Sequence, residues 1–396
     1  MPRMPEHARP SSGRRAVSGS PGPRILAWPK RIAVNPYFAT ISEGLEHKGW
    51  TVKDFTYLRA LLGGFDLLHI HFPTFPFNNR RLWITGIRLA IFASLIALLR
   101  ARGTRIAWTV HNLAHHEGYH PGLEKRTMGW FTRRLDLTIH LSDSGRKAAF
   151  EAFPALRARP SVVIPHAHYG EPPPNGISRE TALDRLGWAR DKPVILFFGQ
   201  IRSYKNVPEL IRAFARWPRA DVRLAIAGEA SDGRLQQEIA ALASADARVL
   251  LRLGTVPEDE LRLLVTAATL VVLPYREILN SGAALLSLTQ RRPVLVPDRG
   301  AMAELQAAVG PGWVRLFHPP LDPDHLDSAL CWAASRRDDR PALADFAPAA
   351  VVDAHARAFA ELLLAAPGPA RRASRIRRGT ENAPIRARDA ARRTQP

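Results

Sequence analysis

Two segments of the chain place reactive side chains where an α/β protein would use them. In FFGQIRSYKN (197–206) an apolar run reaches Gly199, and Arg202 and Lys205 follow before a helical period opens at Val207. Ligands of open α/β sheets lie beyond the carboxyl ends of the strands. A guanidinium that grips two oxygens and an ammonium point charge, placed there together, suit a diphosphate. Taken alone, the pair is as readily read as solvated surface charge. In LPYREILNSGAALLSL (273–288) a strand is expected to end at Pro274, a loop carries Glu277, and Asn280 or Ser281 stands where it can cap the next helix. Gly282, Ala283 and Ala284 leave the first turn bare, so a phosphate can reach the backbone N–H groups. Glu277 suits a hydrogen bond from a sugar hydroxyl. By itself this segment also reads as a capped core helix with a loop carboxylate.

The first half offers WTVHNLAHHEG (108–118), in which a strand runs to His111–Asn112. A histidine at the carboxyl end of a strand can act as a base or contact a reacting group. His115, His116 and Glu117 follow on the loop. Their spacing does not put ligands on one helix face, so no metal site is expected from them.

The elements that must carry these residues alternate apolar runs with helical periods, the pattern of parallel α/β layers. Strands are expected at 24–28, 51–55, 67–71, 105–111, 137–142 and 161–165, with helices at 37–48, 82–102, 123–135 and 144–153. GEPPPNG (170–176) then makes a stiff connector. The alternation restarts with strands at 194–199, 223–228, 249–253, 270–274 and 293–297. Its helices are expected at 207–217, 233–243, 258–267, 281–290, 302–308 and 353–364. Val194–Phe198 lacks polar side chains and should be central in its sheet. The expected fold is α/β, two doubly wound Rossmann-like domains facing a cleft, at 24–171 and 172–350. A C-terminal helix (351–366) follows, and basic disordered tails are expected at 1–23 and 367–396.

Composition narrows the function classes. The chain has 396 residues, 46% apolar, and one cysteine, Cys331, which excludes a disulfide framework and sits in an apolar run as a buried small residue. The formal charge is +20, but five Arg against Glu6 in residues 1–24 and nine Arg against Glu381 and Asp389 in 367–396 hold +11 of it. The body is only mildly basic, the tails lack interleaved aromatics, and a nucleic-acid partner is not expected. The first 24 residues lack an apolar signal core, which points to the cytoplasm. The apolar stretch 82–99 is interrupted by Arg88 and is expected as a core helix. Alternatively it shows Trp83, Ile87, Ile91 and Leu95 to an anionic membrane, with Arg80, Arg81, Arg88, Arg100 and Arg102 near lipid phosphates.

The two opening segments together resemble the C-terminal half of GT-B-fold glycosyltransferases, particularly the family 4 (group 1) transferases. GQIRSYKN is similar to that family's Arg/Lys pair after the first strand of its second domain. EILNSGAALLSLTQRRPVLVP resembles its Glu-containing loop, small-residue helix and following strand, and LGTVPEDEL (253–261) its turn beside the nucleotide base. The resemblance covers roughly 24–365 and is strongest over 194–300. It implies a metal-independent transfer of a hexose from a GDP- or UDP-linked sugar, with no resident cofactor, to a glycan or lipid-linked acceptor. It implies donor contacts at Gly199, Arg202, Lys205, Gly228, Glu229, Val256, Asn280, Ser281 and Gly282. His111 and Glu277 become the catalytic candidates. Asn35 and Tyr37 (in the Asn35-Pro36-Tyr37 segment), Asn112, His115, His116 and Glu117 fall on the acceptor side, as does DLLHIHFP (66–73) by similarity. The family usually carries a second Glu that helps hold the donor ribose; here Ser287 stands near its place. The exopolysaccharide and glycolipid subgroup, which includes enzymes that move mannose from GDP-mannose, is similar in having Ser-Gly and no second Glu. A UDP-sugar 2-epimerase of the same architecture, a noncatalytic relative, and a nucleic-acid binder acting through the Arg-rich tails are the alternatives.

Overall fold

The computed structural model describes residues 22–32, 35–77, 79–114, 119–170, 176–335 and 340–365. The expected terminal tails fall almost wholly outside these residues, as do His115, His116, Glu117 and most of GEPPPNG.

The first domain is built from β1 (Arg24–Trp28), α1 (Tyr37–His47), β2 (Thr51–Asp54), α2 (Tyr57–Leu62), β3 (Leu67–Ile70), α3 (Leu82–Ala101), β4 (Arg105–Val110), α4 (Pro121–Thr132), β5 (Leu137–His140), α5 (Asp143–Ala152) and β6 (Ser161–Val163). The second contains α6 (Arg179–Leu186), β7 (Val194–Phe198), α7 (Val207–Ala215), β8 (Arg223–Gly228), α8 (Gly233–Ser244), β9 (Val249–Leu253), α9 (Glu258–Ala267), β10 (Leu270–Val272), α10 (Gly282–Thr289), β11 (Val294–Pro297), α11 (Met302–Val309), β12 (Val314–Phe317) and α12 (Pro323–Ala334). A last helix, α13 (Pro348–Leu364), follows.

Among the described residues these strands form two six-stranded sheets, ordered β2-β1-β3-β4-β5-β6 and β12-β11-β10-β7-β8-β9. Every pairing within them is parallel. Both sheets are covered on two faces, so alternate residues of one strand enter different cores. Ile25 packs with α1 and α13, whereas Leu26 packs with Phe92, Leu95 and Ile96 of α3. All five residues of β7 are buried, as its unbroken apolar run requires. The strand order reverses between β1 and β3 and again between β7 and β10. Loops leaving the carboxyl ends there diverge and open a crevice.

The chain crosses between the domains twice. The outgoing connector and the returning segment run side by side, the N–H of His168 donating to the carbonyl of Phe346 at 2.8 Å. Helix α13 then returns to the first domain, where Val351, Val352, Phe359 and Leu362 pack against Tyr37, Phe38, Ile41 and Leu45 of α1. A second tie spans the cleft. The Glu304 carboxylate at the start of α11 accepts the N–H groups of Asp143 (2.9 Å) and Ser144 (2.5 Å) at the first turn of α5. A carboxylate at a helix N-terminus is where the macrodipole favours it.

Several sequence expectations are corrected. Cys331 is exposed rather than buried, because α12 turns Leu326, Ala329, Leu330 and Ala333 inward and 331 falls one position off that face. Helix α3 is not enclosed as a core helix would be: Phe92, Leu95, Ile96 and Leu99 are buried, while Leu82, Trp83, Ile87 and Ile91 are 46–63% exposed. Leu95 thus leaves the outward-facing set to which its spacing assigned it. Elements α2, α6, β12 and α12 were not expected, and the last helix starts at Pro348 rather than 353.

Candidate active site

The carboxyl ends of the two sheets face one another across a cleft of about 1200 Å³. The second domain lines it with Arg202, Ser203, Tyr204 and Lys205 after β7, Ser231 and Asp232 after β8, the stretch Tyr275–Ala283 after β10, and Arg299 and Gly300 after β11. From the first domain come His111, Asn112, Leu113, Ala114, Tyr119 and Ala148.

The loops after β7 and β10 are joined by their backbones, the N–H of Arg276 donating to the carbonyl of Tyr204 at 2.8 Å. Lys205 lies between them. Its ammonium would stand 3.6 Å from a Cβ at Gly199 and lies 5.5 Å from the centroid of the Tyr275 ring. Burial, reinforced by the nearby charge of Arg202, lowers its pKa to about 8. The two cations therefore repel each other across a partly desolvated pocket that an anion would neutralise. Gly199, at φ +105°, allows the strand to turn beneath that ammonium. Gly228 must also be glycine: a Cβ there would lie 2.0 Å from the carbonyl oxygen of Gly199.

Ser281 caps α10, its Oγ accepting the N–H of Ala284 at 3.1 Å. It also pairs with the Tyr275 hydroxyl, whose pKa burial raises above the ordinary phenol range. Ser281 is therefore a positioning residue whose oxygen is already used, and the unadorned turn at Gly282–Ala283 is what faces the cleft. Tyr169, just before the connector, packs on this turn: its hydroxyl would lie 2.3 Å from a Cβ at 282, so a larger residue there requires the tyrosine to move. Glu277 is exposed on the cleft wall, and Asn280 is half-buried beside it. Ser287 is fully buried and donates to the carbonyl of Ala283 at 2.8 Å, so it does not stand in for a carboxylate facing the cleft.

On the opposite wall His111 follows the end of β4. Its Nε2 lies 3.0 Å from Nδ1 of His71, leaving Nδ1 of His111 as the nitrogen not committed to that bond. His71 is buried beside His69, which bonds Thr109 Oγ1 at 2.8 Å. Burial, with the charges of His166 and His355, lowers the His111 pKa to about 3. The imidazole is neutral at physiological pH, and it can accept or donate one hydrogen bond toward the cleft. Tyr37 is 1% exposed, stacked on His166 at 4.4 Å and edge-on to His111 at 5.4 Å. It supports His111 from below and does not line the cleft.

The cleft thus gathers Arg202, Lys205, Asn280, Ser281, Gly282, Glu277, His111 and Asn112 from the sequence-derived set. Gly199 and Gly228 do not line it; Gly199 lies under the Lys205 ammonium and Gly228 against the Gly199 carbonyl. Glu229 and Val256 lie farther along the strand ends and do not line it; Glu229 accepts a 3.5 Å bond from Thr255 Oγ1. Asn35 accepts the N–H of Tyr37 at 3.1 Å and serves the start of α1. Tyr204, Tyr275, Asp232, Arg299 and Tyr119 were missed, although Asp232 and Arg299 follow strand ends and the same positional rule points to them. Among the described residues, no group of three or more His, Cys, Asp or Glu is arranged to hold a metal ion.

Residues 192–336 match the family model described as "Glycosyl transferases group 1". Over 296 residues the chain is 31% identical to a protein of Xanthomonas campestris pv. campestris described as GDP-mannose:glycolipid 4-beta-D-mannosyltransferase, covering 75% of this chain and 79% of that one. Among solved structures, sucrose-phosphate synthase from Thermosynechococcus elongatus superposes with a TM-score of 0.64 at 17% identity, over 87% of this chain and all (100%) of the other. The Anabaena protein HepE in complex with UDP and glucose gives 0.61 at 16% identity, over 85% and 99% of the two chains. These two likenesses are of fold.

Proposed function

The chain belongs to the group 1 glycosyl transferases and is a glycosyltransferase of GT-B architecture, and from that premise we propose that it moves mannose from GDP-mannose to a lipid-linked glycan acceptor. The observation that carries the proposal is the convergence of Arg202, Lys205 and the bare first turn of α10 on one side of a cleft whose other side presents His111. Donor choice follows the Xanthomonas relative, described as a GDP-mannose:glycolipid 4-beta-D-mannosyltransferase; a UDP-linked hexose is the alternative donor.

In this reading the donor diphosphate lies between Arg202, Lys205 and the N–H groups at Gly282 and Ala283. As the bond from the anomeric carbon to the diphosphate oxygen breaks, negative charge builds on that oxygen. Fixed cations and amides in a site shielded from water stabilise it without reorganising. Metal-independent transfer is part of the proposal, because two side-chain cations and a helix terminus already supply the charge. Glu277 accepts a hydroxyl of the transferring sugar, and Asn280 and Ser281 hold the loop that presents it. His111 faces the reacting carbon across the cleft as a neutral imidazole, oriented by His71, and Asn112 lies beside it on the acceptor side. The Glu304–α5 tie and the paired connectors keep the two walls in register, so donor and acceptor meet with water excluded. The enzyme works in the cytoplasm, peripherally on the membrane that holds its acceptor.

The test is transfer of labelled sugar from GDP-mannose, UDP-glucose and UDP-galactose to a bacterial lipid extract, with and without chelator. Mannose transfer that chelator leaves unchanged supports the reading. Transfer from UDP-sugars alone would redirect the donor assignment, and isomerised sugar formed without acceptor would favour an epimerase.

A further inference from the structure

Helices α2 and α3 carry apolar side chains that the fold leaves uncovered. Tyr57, Leu58, Leu61 and Leu62 of α2 are 46–77% exposed, and Leu82, Trp83, Ile87 and Ile91 of α3 are 46–63% exposed. A helix that is apolar all round belongs inside a protein or a membrane, yet only 28% of the most apolar window of α3 is buried. Its outward positions, Trp83, Ile87, Ala90, Ile91, Ser94 and Ala97, include no charge. Such a contiguous exposed patch marks an interaction surface. The two helices pack together, and the Arg102 guanidinium beyond the end of α3 donates to the carbonyl of Ala60 at 3.2 Å and to that of Leu61.

Charge selects the partner. Residues 57–102 hold six arginines and a single acid, Asp66. Arg59 is exposed within α2, where it also donates to the carbonyl of Asp54, and Arg80 and Arg81 are exposed just before α3. An uncharged apolar face rimmed by guanidinium groups matches acyl chains beneath anionic headgroups. Helix α3 lies along the domain rather than leaving it, because Phe92, Leu95, Ile96 and Leu99 are fixed in the core beside β3 and β4. The face also adjoins the active site. Arg80 lies over the ring of Tyr119 at 5.5 Å, the carbonyl of Asn79 is 3.1 Å from Nε2 of His120, and Tyr119 lines the cleft.

We propose that the exposed faces of α2 and α3 dock this enzyme onto an anionic lipid bilayer, lying in the interface with the Tyr119 edge of the cleft turned toward the headgroups. Docking does not depend on the identity of the donor. Its use rests on the proposed lipid-linked acceptor, since a sugar carried at the headgroup layer then enters the cleft without leaving the membrane.

The full chain is sedimented with vesicles of phosphatidylcholine containing phosphatidylglycerol, and with phosphatidylcholine alone. The variant L62Q/W83Q/I87Q/I91Q removes four exposed apolar contacts, and a second variant, R59Q/R81Q, removes charge. The proposal predicts sedimentation with the anionic vesicles and about a hundredfold weaker partitioning for the apolar variant. For the charge variant it predicts about fivefold loss per arginine, abolished by high salt. GDP binding measured by calorimetry stays unchanged in both variants, so failure of the donor reading and failure of docking are read separately. If the fourfold variant does not fold, W83Q and I87Q singly carry the same comparison with a smaller loss. Wild-type protein that stays in the supernatant overturns the proposal, as does a variant that sediments like wild type. A wild-type dimer that the four substitutions convert to a monomer also overturns it, since a second copy then covers the face.

Discussion

The depressed pKa of Lys205 gives the donor-site assignment a quantitative signature. In the free enzyme its ammonium titrates near pH 8, held down first by burial and then by Arg202. If only the charged form receives the donor diphosphate, kcat/KM for the donor follows the protonated fraction. That fraction falls from about 0.9 at pH 7 to about 0.1 at pH 9, a loss of roughly tenfold in kcat/KM. Tyr204 and Tyr275 beside it are held above the ordinary phenol range by burial, so they do not titrate in the same window. A bound diphosphate adds opposite charge and raises the lysine pKa, so kcat at saturating donor should break at higher pH than kcat/KM. Lys205→Arg keeps the cation charged throughout; its profile should be flat to about pH 9.5, from a lower starting value set by the misfit of the larger head group. The assay is initial rate against donor concentration at half-unit pH intervals. A wild-type profile flat through pH 9, or an unchanged break in Lys205→Arg, refutes the reasoning.

Other outcomes follow from the same geometry. Gly228→Ala puts a Cβ 2.0 Å from the Gly199 carbonyl at a φ of +150°, so the turn must shift; donor KM should rise at least tenfold with about 1–3 kcal/mol of lost stability by urea unfolding. Ser281→Ala removes the cap of α10 and the partner of the Tyr275 hydroxyl, and about 1 kcal/mol of stability together with a raised donor KM is expected. His166 and His355 are buried with pKa values near 4, lowered chiefly by burial from an unfolded value near 6.5. Their contribution is complete above pH 6.5 and is lost as pH falls toward 4, at roughly 2 kcal/mol each by pH 5. The urea midpoint should therefore drop between pH 7.5 and 5, and an unchanged midpoint would count against a neutral buried cluster. Phe359→Ala, which opens the contact of α13 with the first domain, should cost about 3–5 kcal/mol and lower the melting temperature.

The second-domain wall of the cleft is legible in the sequence because its signals are local. Val194–Phe198 is apolar without interruption, so it had to be a central strand, and topology alone then puts Arg202 and Lys205 at a binding edge. The first-domain wall is less legible. His69, His71, His111, His166 and His355 are scattered over nearly 300 positions, and only the folded sheet with α13 returned to it brings them together. Spacing likewise could not show that Tyr37 would be buried under His111. Faces were harder to read than elements. Cys331 lies one residue from the inward face of α12, and a uniformly apolar helix such as α3 has no pattern to say which side is covered. The edge strand β12 was missed because VRLF is only half buried. Helix α6 is hard to read beside the proline connector because it is short and mostly polar, although Ser178 caps it and Gly187 ends it in the left-handed conformation.

The most direct test of the central claim is the rate of mannose transfer from GDP-mannose to membrane lipid by the wild-type chain and by Arg202→Ala, Lys205→Ala and the double variant. If each cation stabilises the departing diphosphate as proposed, each single variant should lose about a hundredfold or more in kcat, the double variant more still, and all should keep the wild-type melting temperature within a few degrees. Near-wild-type transfer by both single variants would contradict the account, because the feature that places the reaction in this cleft would then play no part in it.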